Sequence, residues 1–85
     1  MRDVITVAPA DSGWAVLHEG AEPWLFRSGA QAEWSARRLG EVLAESGRAV
    51  EVRILLRNGQ LGGRFVWDPT EAAGQWRRAR ELEPA

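Results

Sequence analysis

"AVEVRILLRNGQLGGRFVW", residues Ala49 to Trp67, carries the strongest local pattern in the chain. Asn58-Gly59 is a dipeptide that accepts positive φ, and alternating apolar residues flank it on both sides. The stretch therefore predicts a β-hairpin with a two-residue type I′ loop. Arg57 then opposes Gln60. Counting back along the ladder puts Val50, Val52, Ile54 and Leu56 on one face with Leu61, Gly63, Phe65 and Trp67. Glu51, Arg53, Leu55 and Arg57 take the other face with Gln60, Gly62, Arg64 and Val66. The first set is the expected core face. On the second, Arg53 and Arg64 lie directly cross-strand with Arg57 two residues along, and like charges so placed repel unless something negative stands between them. Glu51, diagonal to Arg64, is one source of that charge. A bound anion is the other, so Arg53, Arg57 and Arg64 form a candidate anion-binding cluster.

Upstream of the hairpin, Ser28 and Gln31 have capping-box spacing, and Ala32, Ala36, Leu39 and Leu43 recur at helical intervals, with Val42 widening the stripe. Gly47 supplies a left-handed stop after Ser46. Before this helix lie three short strand patterns. "VITVA" (4–8) ends at a Pro9–Gly13 turn signature, Trp14 to Glu19 alternates, and "WLFR" (24–27) follows Pro23. Two registers are open for the second and third strands. A two-residue loop at Gly20-Ala21 pairs Leu17 with Trp24, whereas a three-residue loop pairs His18 with Trp24 and aligns Val16 with Phe26. The second is preferred, because it collects Trp14, Val16, Trp24 and Phe26 on one face.

Downstream, Asp68-Pro69-Thr70-Glu71 reads as a second helix start, with Ala72, Trp76 and Ala79 forming a thin apolar stripe interrupted by Gly74. The resulting plan is an α+β domain over residues 1–68, ordered β-β-β-α-β-β. One helix packs on a mostly antiparallel five-stranded sheet, and residues 69–85 form a short, partly frayed helical extension. If strand 4 lies beside strand 1, the helix becomes a parallel crossover and the strand order is 3-2-1-4-5.

The composition narrows the function. Eighty-five residues suit one core, and the absence of Cys leaves apolar packing, including five Trp, as the source of stability. Eleven basic and twelve acidic residues are interspersed to a net charge of −1, which disfavours nucleic acid as a partner. No apolar run approaches the length of a membrane span and no signal-peptide pattern is present, so the expected location is cytoplasmic. His18 is the single His, and "HEG" lacks the second His of a zinc helix, so no metal and no cofactor is expected. The Ser residues occupy turn, cap and helix positions, and none pairs in sequence with His18 and an Asp. "GQLGGR" lacks the Lys and the helix of a phosphate loop and reads as strand 5. The chain is not expected to be an enzyme.

The ordered set "ITVAP", "GWAV", "LFRSGAQAEWSARRLGEVLAESG" and "VEVRILLRNGQL", covering residues 5 to about 65, resembles the small bacterial family of domain of unknown function 2188. Gln31-Ala32 stands where that family has Glu-Ala, and Asn58 where it has Asp. The resemblance implies a fold and no chemistry. A fainter similarity, in three strands followed by an Ala-rich helix, links the chain to the DNA-binding domains of plant AP2-type factors and phage integrase arms. Arg27 and Arg2 offer too little charge on the corresponding face for several phosphate contacts.

Two apolar surfaces remain without assigned cover. Trp34 falls opposite the helical stripe, where Arg38 can stack on it. On the outer sheet face, Ala15, Leu17, Leu25, Leu55 and Val66 stand among Arg side chains. Either the C-terminal segment folds back with Trp76 inserted, or two sheets pack in a homodimer. Trp34, Trp76, Leu17, Leu25 and Leu55 are thus the candidate interaction residues. The expected function is a non-catalytic, self-associating interaction or accessory module with itself or another protein as partner. An anion- or nucleic-acid-binding module is the alternative.

Overall fold

A computed structural model describes residues 2–68 and 77–78. Among these described residues six strands and one helix follow in chain order: β1 (Arg2–Ala10), β2 (Gly13–His18), β3 (Trp24–Phe26), α1 (Gly29–Glu45), β4 (Ala49–Leu55), β5 (Leu61–Trp67) and β6 (Arg77–Arg78). They form one mixed sheet in the order β3-β2-β1-β4-β5-β6. Only β1 and β4 run parallel, with α1 as their crossover. The α+β class and the 3-2-1-4-5 order expected from sequence are both present. Arg77 and Arg78, expected within a C-terminal helix, instead pair as a strand with Val66 and Phe65. The rest of that expected helix, Trp76 included, lies outside the described residues.

β1 runs through Pro9 to Ala10 rather than stopping before it. Its pairing with β4 ends at Val7–Ile54, so Pro9 sits where one side of the strand is open and its missing N–H costs least. Trp14 pairs with Phe26 and Val16 with Trp24. The four residues therefore share the helix-covered face as expected, but the ladder is offset by two residues from the preferred register. The β2–β3 connection is correspondingly longer, closed at its start by the Ala21 N–H donating to His18 C=O at 3.1 Å, with Gly20 at φ 84°. Either shift of two keeps the same side chains inward, so face alternation alone does not distinguish them.

The helix begins and ends as its sequence dictates. Ser28 Oγ accepts from the Gln31 N–H at 3.1 Å. At the other end Gly47, at φ 89°, donates to Ala44 C=O, and Arg48 donates to Leu43 C=O, a Schellman closure. The buried line is Ala32, Ala36, Gly40 and Ala44, with Leu39 and Leu43 flanking it. Val42 does not widen this stripe; it is 59% exposed. Small residues four apart let the helix axis settle close to the sheet, and this turns the stripe away from Val42. Against it pack Ile5, Val7, Val16, Val50 and Val52, all buried, with Trp14, Phe26, Ile54, Phe65 and Trp67 around the rim.

The hairpin keeps its expected register from Val50–Trp67 to Ile54–Gly63 and then departs from it. Gly59 N–H donates to Leu56 C=O and Leu56 N–H to Gln60 C=O, closing a three-residue loop rather than a two-residue one. Gly59 is left-handed at φ 87°, as expected for a loop of this length. Asn58 Oδ1 accepts from the Gln60 N–H at 2.9 Å, which explains how Asn serves this loop without a type I′ turn. Leu55 then pairs with Leu61, and Gly62 is the extra residue that restores the register. A Cβ on Gly62 would lie 2.5 Å from Leu56 Cδ2, so a larger residue at the bulge would have to turn the Leu56 side chain aside. Leu56, expected on the core face, is displaced by the bulge and is 48% exposed.

Candidate functional site

Because β1, β4 and β5 alternate in register, the face turned away from α1 carries Arg2, Val4, Thr6 and Ala8 from β1, Glu51, Arg53 and Leu55 from β4, and Arg64 and Val66 from β5. On the other side of β1 the same face carries Ala15 and Leu17 from β2 and Leu25 from β3. It is therefore divided: charged over β4 and β5, apolar over β2 and β3.

Glu51 is the centre of the charged half. It is 2% exposed, and its carboxylate accepts from Arg2 Nη1 at 3.0 Å, from Arg64 Nε at 2.9 Å and Nη2 at 3.1 Å, and from Arg53 Nε. The Arg64 guanidinium, followed by those of Arg53 and Arg2, holds the carboxyl well below its ordinary value, at about 2, against the opposing effect of burial. Glu51 in turn raises the pKa of Arg64. The cross-strand Arg53–Arg64 pair predicted from the hairpin is present, and the negative group between them is Glu51.

Arg57 does not join them. It sits at the turn with its guanidinium 5.1 Å from the centroid of Trp14, on the helix-covered side. The third cation is Arg2, which the hairpin alone does not reveal; the parallel β1–β4 register supplies it, since Val4 lies beside Glu51 and Arg2 beside Ala49. Three guanidiniums thus gather around one carboxylate. Arg2 and Arg53 keep side-chain exposures of 38% and 48%.

The apolar half is open to solvent in the described structure, with Leu25 74% and Leu17 38% exposed. Leu55 is half-buried beside the bulge. At the level of Glu51 along the strands, the β2–β3 turn carries the exposed Glu19 and Glu22. Trp34 projects from α1 into solvent at 65% exposure with Arg38 stacked 5.4 Å from its ring centroid, as its position opposite the stripe implied. Arg37 covers Phe65 at 4.2 Å, which shields a rim residue of the core.

Trp14 packs as a core-rim residue. Its indole lies against Gly29, where a Cβ would come within 3.1 Å of the ring, and Arg57 covers it. His18 Nε2 lies 3.4 Å from Asp3 Oδ1, and Arg48 Nε donates to Asp3 Oδ2 at 2.5 Å. The Arg48 hydrogen bond is the main reason the Asp3 carboxyl is held below its ordinary value. Ser28 is engaged at the helix N-cap, and Ser46 Oγ donates to Leu43 C=O at 2.6 Å. Among the described residues, no group of three or more His, Cys, Asp or Glu is placed to hold a metal ion, and no helix is long and apolar enough to cross a membrane. No family model, curated protein or solved structure matches the chain.

Proposed function

We propose that this chain is a non-catalytic interaction module that self-associates through the outer face of its sheet. The observation that carries the reading is the exposure of Leu17 and Leu25 on the same face as a charged cluster whose cations are already ordered around Glu51. Arg side chains held by a neighbouring carboxylate lose little further freedom on binding, and an apolar patch bordered by such groups has the anatomy of a protein interface. His18 and the capping Ser residues are engaged in local structure, which favours a binding role over catalysis.

Sedimentation of the full chain tests this. A mass near twice 9.4 kDa at high protein concentration, falling to 9.4 kDa in Leu17→Arg/Leu25→Arg, is expected. A wild-type chain that stays monomeric at every concentration refutes the reading.

An anion-binding role is the second reading, and the gathering of Arg2, Arg53 and Arg64 on one face, with Arg2 and Arg53 partly exposed, favours it. Glu51 occupies the position an anion would take, which weighs against it. Amide shifts in residues 51–66 on adding phosphate or a short oligonucleotide, weakened by salt, would support anion binding. Self-association alone produces no shifts with phosphate beyond those caused by chloride at the same ionic strength.

A further inference from the structure

One strand, β3, leaves apolar side chains exposed on both faces of the sheet. Leu25, on the outer face, is 74% exposed, and Trp24, on the helix-covered face, is 45% exposed. Stacking one sheet on another covers the first and leaves the second bare. We infer that two copies, on the self-association reading above, join at this border of the outer face: β3 pairs antiparallel with the partner's β3 about a two-fold axis between the two Leu25 residues.

In the sheet, β3 has β2 as its one neighbour and forms an edge. The direction of its backbone groups follows from Gly13, where a Cβ would stand 2.2 Å from the Phe26 carbonyl oxygen. That oxygen points toward β2. Because backbone groups alternate along an antiparallel ladder, Trp24 and Phe26 bond to β2, and the N–H and C=O of Leu25 turn outward. An open edge of this kind is a template for a further strand. A two-fold copy supplies one in which each Leu25 N–H donates to the other Leu25 C=O. Pro23, which has no N–H, keeps the new ladder as short as β3 itself.

In this register Trp24 lies across from the partner's Phe26 on the helix-covered face, and Leu25 from the partner's Leu25 on the outer face. Cross-strand aromatic and aliphatic pairs thus cover both exposed side chains of β3 at once. Charge supplies the direction. Glu22 and Arg27, both exposed, flank β3 at opposite ends. Antiparallel pairing brings each Arg27 toward the partner's Glu22, whereas parallel pairing would set like beside like. The opposite edge of the described sheet is β6, a pair of arginines whose charge opposes the same contact there.

Amide exchange on the full chain tests the pairing. The Leu25 N–H should exchange at least about tenfold more slowly at concentrations where the chain is dimeric than where it is monomeric. Leu25→Pro removes that donor at an outward-facing edge position that accepts proline, and should leave a folded monomer. Arg27→Glu should weaken the dimer at least about tenfold, and adding Glu22→Arg should restore it, both being exposed positions outside the core. The chain has no Cys, so Leu25→Cys, with its two Cα atoms ~5.5 Å apart across the axis, should oxidise to a linked dimer. It should do so faster than Leu61→Cys on β5, itself 40% exposed. A wild-type dimer whose Leu25 amide exchanges at the monomer's rate, or a dimer that survives Leu25→Pro, overturns edge pairing and leaves self-association standing. Insensitivity to Arg27→Glu together with linkage no faster through Leu25→Cys than through Leu61→Cys does the same. A wild-type chain with the mass of a monomer at every concentration overturns both.

Discussion

Replacing Glu51 with Gln removes the negative charge that Arg2, Arg53 and Arg64 surround and keeps the shape of the side chain, so its effect isolates the ion network. The carboxyl titrates at about 2 in the folded chain against an ordinary value of 4.5. This difference is equivalent to at most ~3.4 kcal/mol of stability at neutral pH. Arg2 and Arg53 are 38% and 48% exposed, and water screens part of that interaction, which leaves about 2 kcal/mol. In a domain of this size such a loss lowers the melting temperature by roughly 10 °C. The sign of the pH dependence follows from the lowered pKa. The stabilisation is fully present above 4.5 and is lost as pH falls through 2, because the unfolded chain takes up the proton first.

The wild type and Glu51→Gln should therefore differ by about 2 kcal/mol at pH 7 and converge as pH approaches 2. Asp3, also lowered, contributes equally to both chains and cancels in the difference. Urea unfolding followed by tryptophan fluorescence between pH 2 and 7 measures this directly. A difference that stays constant across that range, or a variant as stable as the wild type at pH 7, refutes the assignment of Glu51 as the electrostatic centre of the outer face.

Gly13→Ala should destabilise the fold by about 2–3 kcal/mol, because the new Cβ would stand 2.2 Å from the Phe26 carbonyl oxygen and force β2 from β3. Gly47→Ala, in open space at φ 89°, should cost about 1 kcal/mol, so equal losses in thermal unfolding would show that backbone crowding at Gly13 is not what matters. Ser28→Ala should cost about 1 kcal/mol and speed amide exchange at Gln31, whose N–H loses its acceptor; unchanged exchange there would contradict the cap.

The elements that were legible in the sequence are those whose instructions are local. Ser28 with Gln31 and Gly47 mark the helix ends by backbone hydrogen bonds within a few residues, and the β4–β5 alternation gives the Arg53–Arg64 pair. Three features depend on longer-range or competing terms. The two-residue offset between β2 and β3 preserves the inward set, so hydrophobic pattern is blind to it. The Asn58 side chain took up the Gln60 N–H and made a longer loop favourable, and the Gly62 bulge then repaired the register. The third cation around Glu51 came from the chain's other end: Arg2 reaches it only because β1 and β4 are parallel neighbours. Face assignment was likewise readable for Trp14 and Trp34, while the placement of Arg57 depended on the turn type.

The line of Ala32, Ala36, Gly40 and Ala44 has a consequence for how this protein can diversify. With Ala32 and Ala36 at 0% exposure against a sheet of Ile and Val, a larger side chain at either place would lever the helix off the sheet. That seam is poorly suited to becoming a small-molecule chamber by stepwise substitution. The outer face is under no such restriction, since Leu17 and Leu25 can be exchanged without repacking anything beneath them. Packing seam and exposed apolar face are thereby placed on opposite sides of one sheet, and descendants of this chain can change the outer face while the helix seam stays as it is.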